Sequence, residues 1–286
     1  MPRAPRKRFG QHFLESAEIV QNIVGAIAAR AGDIVVEIGP GRGAITGALA
    51  ASGATLHAIE FDRDLVPWLR RRYESLGNVF IHEADALGFD YASLGKELRI
   101  VGNLPYNIST PLLFRMTEYA SAMGDLRDLH FMLQKEVADR ITASPGTGEY
   151  GRLTIMLGCR MHAEQLFDVP ASAFRPPPRV TSAFIRLWPR RPDEMPIADP
   201  KLMSRIVAQA FSQRRKTLRN ALKGTAASED LDAVHIDPGA RAEEVPVTAW
   251  VALANHLVKT AAAQTPGPAN KDRMPPGGGK PEAARK

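Results

Sequence analysis

An asparagine oxygen and a backbone carbonyl held side by side can accept both hydrogens of one amino group, and Asn103-Leu104-Pro105-Tyr106 is built to offer such a pair. Proline at 105 fixes its own φ and biases Leu104 toward an extended backbone, which can turn the Leu104 carbonyl into a site beside the Asn103 side chain. Tyr106 adds a flat face, and stacking on an aromatic ring contributes about 1–3 kcal/mol per base while leaving the base edges free. The chemistry this suits is alkylation of a poor nitrogen nucleophile. The lone pair of an adenine amino group is delocalised into the ring, so a catalyst must orient it as well as bring it close. Two acceptors favour a pyramidal nitrogen whose lone pair points at an electrophilic methyl group, and positioning of this kind supplies several kcal/mol of the barrier. No strong general base is needed, because the nitrogen becomes acidic once alkylated. The plainer alternative is a turn with a capping Asn and a core Tyr.

Elements upstream decide whether a donor can sit beside that segment. Ile34-Val-Val-Glu-Ile38 is a short, β-branched apolar run that reads as a buried parallel strand, and it breaks into the glycine turn Glu37-Ile-Gly-Pro-Gly-Arg-Gly43 before a helix-compatible stretch from Ala44 to Ala51. Glycines in a strand–turn–helix junction let backbone amides approach a ligand, with Gly39 at the turn. Thr55 to Ile59 reads as a second strand that ends in Glu60, 21 positions after Gly39, where a nucleotide fold places the carboxylate that accepts ribose hydroxyls. Val79 to His82 reads as a third strand, and Asp85 just beyond it would face the adenine edge of the same nucleoside. Nicotinamide dehydrogenases share the glycine turn and the ribose acid. What separates them is strand four, Arg99-Ile-Val-Gly102, which runs straight into Asn103 at the carboxyl end of the sheet.

With these residues in view, the chain resembles the ribosomal RNA adenine dimethyltransferases, especially the bacterial small-subunit, kasugamycin-sensitivity type. The resemblance is carried by Lys7-Arg-Phe-Gly-Gln-His-Phe-Leu14, Glu37 to Gly43, Asn103 to Ser109, Leu133-Gln-Lys-Glu-Val-Ala-Asp-Arg-Ile141 and Phe174-Arg-Pro-Pro-Pro-Arg-Val-Thr-Ser-Ala183, and it runs from Lys7 to about Trp250. It implies S-adenosylmethionine as the donor, with His12 and Leu14 near its methionine end, Gly39 in the turn, Glu60 on the ribose, Asp85 at the adenine and Asn103 at the transfer point. It also implies that Phe174 is a second stacking partner for the target base, opposite Tyr106. His12 stands where many relatives carry Asn, and a contact made through its backbone would survive that change. Read without the resemblance, Lys7 to Leu14 is a basic arm that is either a solvated charge run or, through Phe9 and Phe13, a small platform for RNA.

Charge is segregated along the chain. Residues 1–10 carry +4, 201–223 carry +7 and 271–286 carry +3; together they hold +14 against a chain total of +6, which leaves −8 for the rest. Such a distribution favours a phosphate-rich partner through counterion release and steering. In the acid-free segment 201–223, Val207, Phe211, Leu218 and Leu222 recur near a helical period, with Arg214, Arg215, Arg219 and Lys223 between and beside them. This predicts one helix from about Pro200 to Lys223 with a packed face and a phosphate-binding face.

The expected architecture is α/β. Strands and helices alternate from Ile34 to Trp188 in a doubly wound, Rossmann-like sheet, and the resemblance adds a seventh, antiparallel strand and the class I S-adenosylmethionine-dependent methyltransferase fold. The expected divisions are an N-terminal arm and first helix (1–33), a catalytic domain (34–188), a Pro-rich linker (189–199), a small helical RNA-binding domain over the mouth of the sheet (200–260) and a disordered tail (261–286). Cys159 is the only cysteine and the seven histidines lack metal-ligand spacing, so disulfide and thiolate-zinc chemistry are excluded. No apolar run approaches a membrane span, no signal-peptide core is present and the Lys7 block leaves no room for a transit peptide. The resulting expectation is a cytoplasmic monomer that acts on small-subunit rRNA in a 30S assembly intermediate. The alternatives are a large-subunit rRNA or DNA adenine methyltransferase, or an assembly factor without turnover.

Overall fold

The computed structural model describes residues 12–73 and 75–264. The Lys7 to Gln11 part of the basic arm, including Phe9, and the tail beyond 264 lie outside the described residues.

Seven strands form one sheet: β2 (Ile34–Ile38), β3 (Thr55–Glu60), β4 (Val79–Glu83), β5 (Leu98–Asn103), β6 (Leu126–Gln134), β7 (Met161–Val169) and β9 (Ser182–Pro189), in the order β4-β3-β2-β5-β6-β9-β7. The pairs from β4 through β6 are parallel, and β9 runs antiparallel to both β6 and β7. Val35, Val36 and Ile38 are buried, as an inner parallel strand covered on both faces requires. The chain moves outward from β2 to β4 and then returns to β5 on the other side of β2, so a topological switch point lies between β2 and β5.

Helices α1 (Ala17–Ile27), α2 (Thr46–Ala51), α3 (Val66–Tyr73), α4 (Tyr106–Met123), α5 (Lys135–Thr142) and α6 (Arg152–Gly158) accompany the sheet. A two-stranded ladder joins β1 (Phe13–Leu14) to β8 (Phe174–Arg175), with Leu14 opposite Phe174. This ladder brings the start of the described chain beside the carboxyl end of β5.

The amino ends of the strands are closed by charge. Arg99, at the start of β5, binds Asp128 with Nε and Nη2, binds Asp33 with Nη1, and donates to the Ile27 and Ala28 carbonyls at the end of α1. Helix-terminal carbonyls without an intrahelical partner are thereby satisfied, and the buried Asp128 and half-buried Asp33 carboxylates are both paired. Ligand chemistry is left to the opposite, carboxyl end.

Helices α7 (Pro200–Ser212), α8 (Leu218–Ala221), α9 (Ser228–Asp232) and α10 (Val247–Gln264) gather around a second core that includes Ile206, Val207, Leu218, Leu222, Trp250 and Leu253. This core also takes Tyr150, Ile155 and Cys159 from chain upstream of the Pro-rich 189–199 segment, and Met195 and Ile197 of that segment pack against it. The helical unit is therefore built partly from α6.

The single helix expected from Pro200 to Lys223 is two. Gln213 leaves helical geometry at φ −127°, ψ 50°, and Thr217 is extended at φ −66°, ψ 156°. The Leu218 and Arg219 amides donate to the Ala240 and Pro238 carbonyls, so a loop from later in the chain takes the amides a continuous helix would have used. Apolar periodicity identified the buried positions Val207, Leu218 and Leu222 correctly while hiding the turn between them.

Candidate active site

A cavity of about 450 Å³ opens at the carboxyl ends of β2, β3 and β5, at the switch point. Its size lies within the range of roughly 300–1,000 Å³ usual for small-molecule sites. Its lining comes from residues 12–14, the glycine loop, the ends of β3 and β5, the turn after β4 and the start of α4.

The glycine loop is closed by its own backbone. Gly39 N donates to the Ile59 carbonyl at 2.9 Å and Gly43 N to the Pro40 carbonyl at 2.8 Å. Gly43 sits at φ +71°, and a Cβ there would run into the Tyr73 hydroxyl, which donates to the Gly43 carbonyl at 3.2 Å. Gly41, at φ +56°, lies against the Phe13 ring, and the Arg42 guanidinium stacks over the same ring at 4.5 Å from its centroid. Phe13 is consequently buried beneath Arg42 and does not form an exposed platform for RNA.

Glu60 is fastened to this loop. Its Oε2 accepts from Gly41 N at 3.2 Å and its Oε1 from Asp62 N at 2.8 Å. Burial raises its pKa, and the amide hydrogen bonds only partly oppose that rise. Asp85 is exposed on the rim, with Oδ1 accepting from Leu87 N at 2.9 Å. Gly39, Glu60 and Asp85 thus line one cavity, as do His12 and Leu14.

At the end of β5, Asn103 Nδ2 donates to the His12 carbonyl at 3.0 Å. A carbonyl can only accept, which fixes the amide nitrogen on that side and leaves Oδ1 on the other branch. Among the described residues nothing donates to Oδ1 or to the Leu104 carbonyl. Tyr106, the first residue of α4, shares a 3.0 Å hydrogen bond between its hydroxyl and Ser182 Oγ, which holds its ring at the cavity wall. The ring faces His12, with centroids 6.0 Å apart and an interplanar angle of 29°.

Phe174 is elsewhere. Its side chain is 1% exposed within the core shared by Leu14, Met132, Val169 and Phe184, and it does not line the cavity. The expected stack on a base opposite Tyr106 is replaced by a structural role: Phe174 pairs its backbone with Leu14 and anchors the N-terminal strand. None of the cavity-lining residues comes from the helical unit. Arg215 and Arg219 are exposed without an ion pair to any described residue, and neither lines the cavity. Arg214 donates to the Gly148 carbonyl at 3.2 Å and lies 3.9 Å from Glu243, which ties it to the fold.

Among the lining residues given no role from the sequence, two carry a buried polar atom without a partner. Glu37 is 2% exposed, its Oε2 has no hydrogen-bond partner, and burial pushes its pKa up to about 8, with Thr46 opposing and Glu60 adding to the rise. Arg42 has a buried Nε without a partner. A signal for Glu37 was present, since an acid inside a run of buried β-branched residues is rare without a ligand or partner. A buried carboxyl with one oxygen lacking a partner beside a glycine loop, with a second carboxylate one strand over, fits a ligand that carries both a cation and ribose hydroxyls.

The strand order and the position of this cavity define a class I S-adenosylmethionine-dependent methyltransferase. Within that class the chain belongs to the ribosomal RNA adenine dimethylase family, whose model matches residues 3–259. It is 54% identical over 253 residues to ribosomal RNA small subunit methyltransferase A of Thiobacillus denitrificans, covering 88% of this chain and 98% of that protein. It is 50% identical over 257 residues to the protein of the same name from Pseudomonas aeruginosa, covering 89% and 95%. Among solved structures it is similar to a dimethyladenosine transferase from Plasmodium falciparum, with a TM-score of 0.77, 25% identity and coverage of 87% and 98%. The 23S rRNA methyltransferase ErmE shares the fold, with a TM-score of 0.65, 24% identity and coverage of 86% and 99%.

Proposed function

We propose that this protein transfers methyl groups from S-adenosylmethionine to the amino groups of two adjacent adenosines near the 3′ end of small-subunit rRNA, giving dimethyladenosines. The observation that supports the chemistry is the hydrogen bond from Asn103 Nδ2 to the His12 carbonyl, because it turns Oδ1 to the other branch as an acceptor left for a ligand. The rRNA substrate rests on the family and on the names of the relatives at about half identity.

When bound, S-adenosylmethionine supplies an electrophilic methyl on a sulfonium. Glu60 would accept from its ribose, Asp85 would meet its adenine, the Gly39 turn would pass beneath it, and residues 12–14 with Glu37 would hold its methionine end. Asn103 Oδ1 and the Leu104 carbonyl accept the two N–H bonds of the target amino group and direct its lone pair. Tyr106, steadied by Ser182, stacks on the base. The apolar wall formed by Leu14, Ile38, Ile59 and Met132 keeps water from the reacting atoms.

The RNA is held away from the cavity by the exposed cations of the helical unit, chiefly Arg215 and Arg219, with Arg214 at their edge. We place this work in the cytoplasm, on a partly assembled small subunit and by a single chain. No described helix is long and apolar enough to cross a membrane. Reversing Arg215 and Arg219 to Glu should weaken RNA binding and reduce the slope of log affinity against log salt by about 2. Filter-binding titrations across a salt series read this out, and an unreduced slope would return the patch to surface decoration.

Transfer of labelled methyl to unmethylated small subunits, unmethylated large-subunit rRNA and DNA in parallel tests the function itself. Dimethyladenosine in the small-subunit sample alone is the expected result. Label in another sample would reassign the substrate, and donor binding without label would favour an assembly factor.

A further inference from the structure

We propose that Arg70, Arg71 and Arg72, on the outward side of α3, form a second phosphate-binding face that holds the backbone of the target rRNA on the far side of the cavity from the helical unit. The inference rests on the function proposed above and goes beyond it by giving the catalytic domain its own grip on the RNA. Helix α3 buries Val66, Leu69 and Tyr73, spaced i, i+3 and i+7, and packs Leu69 and Tyr73 with Phe13 and Leu65. Successive helical residues turn by about 100°, so the run 70–72 sweeps the side away from that stripe. All three arginines are exposed. Among the described residues, the salt bridges of this region stop at Arg63 with Glu83, and none reaches the three. Glu74, the next residue in the sequence, offsets one charge and leaves the run with an excess of +2, in a chain whose residues outside the three basic segments total −8. One cation at the end of a helix complements its dipole; three consecutive ones exceed that need.

The face is held in place and lies where RNA must pass. The Arg72 guanidinium stands 5.2 Å from the Trp68 ring centroid and 5.7 Å from that of Tyr73. A guanidinium stacked on a ring keeps its N–H edge for a phosphate, to which it can donate two parallel bonds. Tyr73 in turn donates to the Gly43 carbonyl at 3.2 Å, which fastens α3 to the loop that walls the cavity. Helix α3 packs on β4, at one end of the seven-stranded sheet, whereas α6, from which the helical unit is partly built, packs on β7 at the other. The cavity opens between them. Strands stand about 4.8 Å apart, so β4 and β7 are separated by about 29 Å, and cations at the two ends bracket the site. Drawing a base out of its stack costs a few kcal/mol, and phosphate contacts on both sides of that base help to meet the cost while fixing the register of the strand.

The double variant Arg70→Gln/Arg71→Gln removes two exposed charges and keeps residues that favour a helix. Filter-binding titrations of unmethylated small-subunit rRNA across a salt series compare it with Arg70→Lys/Arg71→Lys and the wild type, alongside thermal melts of the RNA-free proteins. The Gln variant is expected to bind about 10-fold more weakly at moderate salt, with a slope of log affinity against log salt shallower by about 2, and to melt with the wild type. The Lys variant preserves the charge count and should keep the wild-type slope. Adding Arg215→Glu and Arg219→Glu to the Gln pair should flatten the slope by about a further 2, since the two patches lie at opposite ends of the sheet and act independently. An unreduced slope in the Gln variant, a Lys variant as weak as the Gln one, or a loss of affinity accompanied by a lower melting temperature overturns the inference. A wild type that binds this RNA without salt dependence overturns the proposed RNA substrate as well, whereas a salt-dependent wild type with unmoved Gln variants overturns this face alone.

Discussion

Replacing Asn103 with alanine should lower methyl transfer by about 100- to 1,000-fold while changing donor affinity only a few-fold, because one preorganised acceptor aimed at the reacting group is lost. The loss should fall on the chemical step, so single-turnover rates at saturating donor and RNA are the measurement. Asn103→Asp is the sharper variant. It restores an oxygen at the correct branch, but its second oxygen would face the His12 carbonyl, where the wild-type amide donates at 3.0 Å. Two acceptors in that position repel each other, so the carboxylate must rotate or take a proton, and the orientation is lost along with the donor. Asn103→Asp is therefore expected to be as poor as Asn103→Ala. If it retained near-normal turnover, the oxygen alone would suffice and the bond to His12 would carry no mechanistic weight; if Asn103→Ala itself turned over normally, the acceptor pair would be irrelevant.

The same bond shows what could be read from the sequence and what could not. The type of residue at 103 and its place after an apolar strand were enough to place Asn103 at the cavity, since strand ends in α/β sheets hold ligands and β5 ends in Asn103. Its orientation depends on a partner 91 positions away, brought in by the pairing of β1 with β8. Local patterning carries no information about that pairing. Glu60 was legible through its spacing from Gly39, whereas its two amide bonds to the Gly41 loop and Asp62 needed coordinates. Phe174 differs for another reason: its stacking role came from the resemblance alone, and the β8 ladder turns its side chain into the core. Gly102 passed unremarked, although a Cβ there would lie 2.6 Å from the Ile38 carbonyl. Only glycine lets β5 come close enough to β2 for Asn103 and the glycine loop to share one cavity.

Glu37 supplies the second large effect, with opposite signs on stability and on donor binding. Its carboxyl is buried and lacks a partner at Oε2, and its pKa stands near 8 against an ordinary value of 4.5. Above pH 4.5 the unfolded chain has given up this proton, while the folded chain keeps it until about pH 8. Between those values the unfolded state binds fewer protons, so stability falls as pH rises, and the loss is complete above the folded value. Glu37→Gln keeps the neutral shape and removes the penalty. The RNA-free, donor-free variant should consequently be more stable than the wild type at pH 7.5, by on the order of 2–4 kcal/mol, with the difference vanishing near pH 4. Donor binding should move the other way. A cationic donor requires the ionised carboxylate, so wild-type affinity should climb by up to about 10-fold per pH unit between pH 6 and 8, whereas the Gln variant should bind about 100-fold more weakly at pH 8 and show no such climb. Thermal melts and calorimetric donor titrations over that range give both readings on the same samples. A Gln variant that is less stable at pH 7.5 would mean that Glu37 is already paired in the folded chain. One that binds donor with the wild-type pH slope would place the donor's cation elsewhere in the cavity.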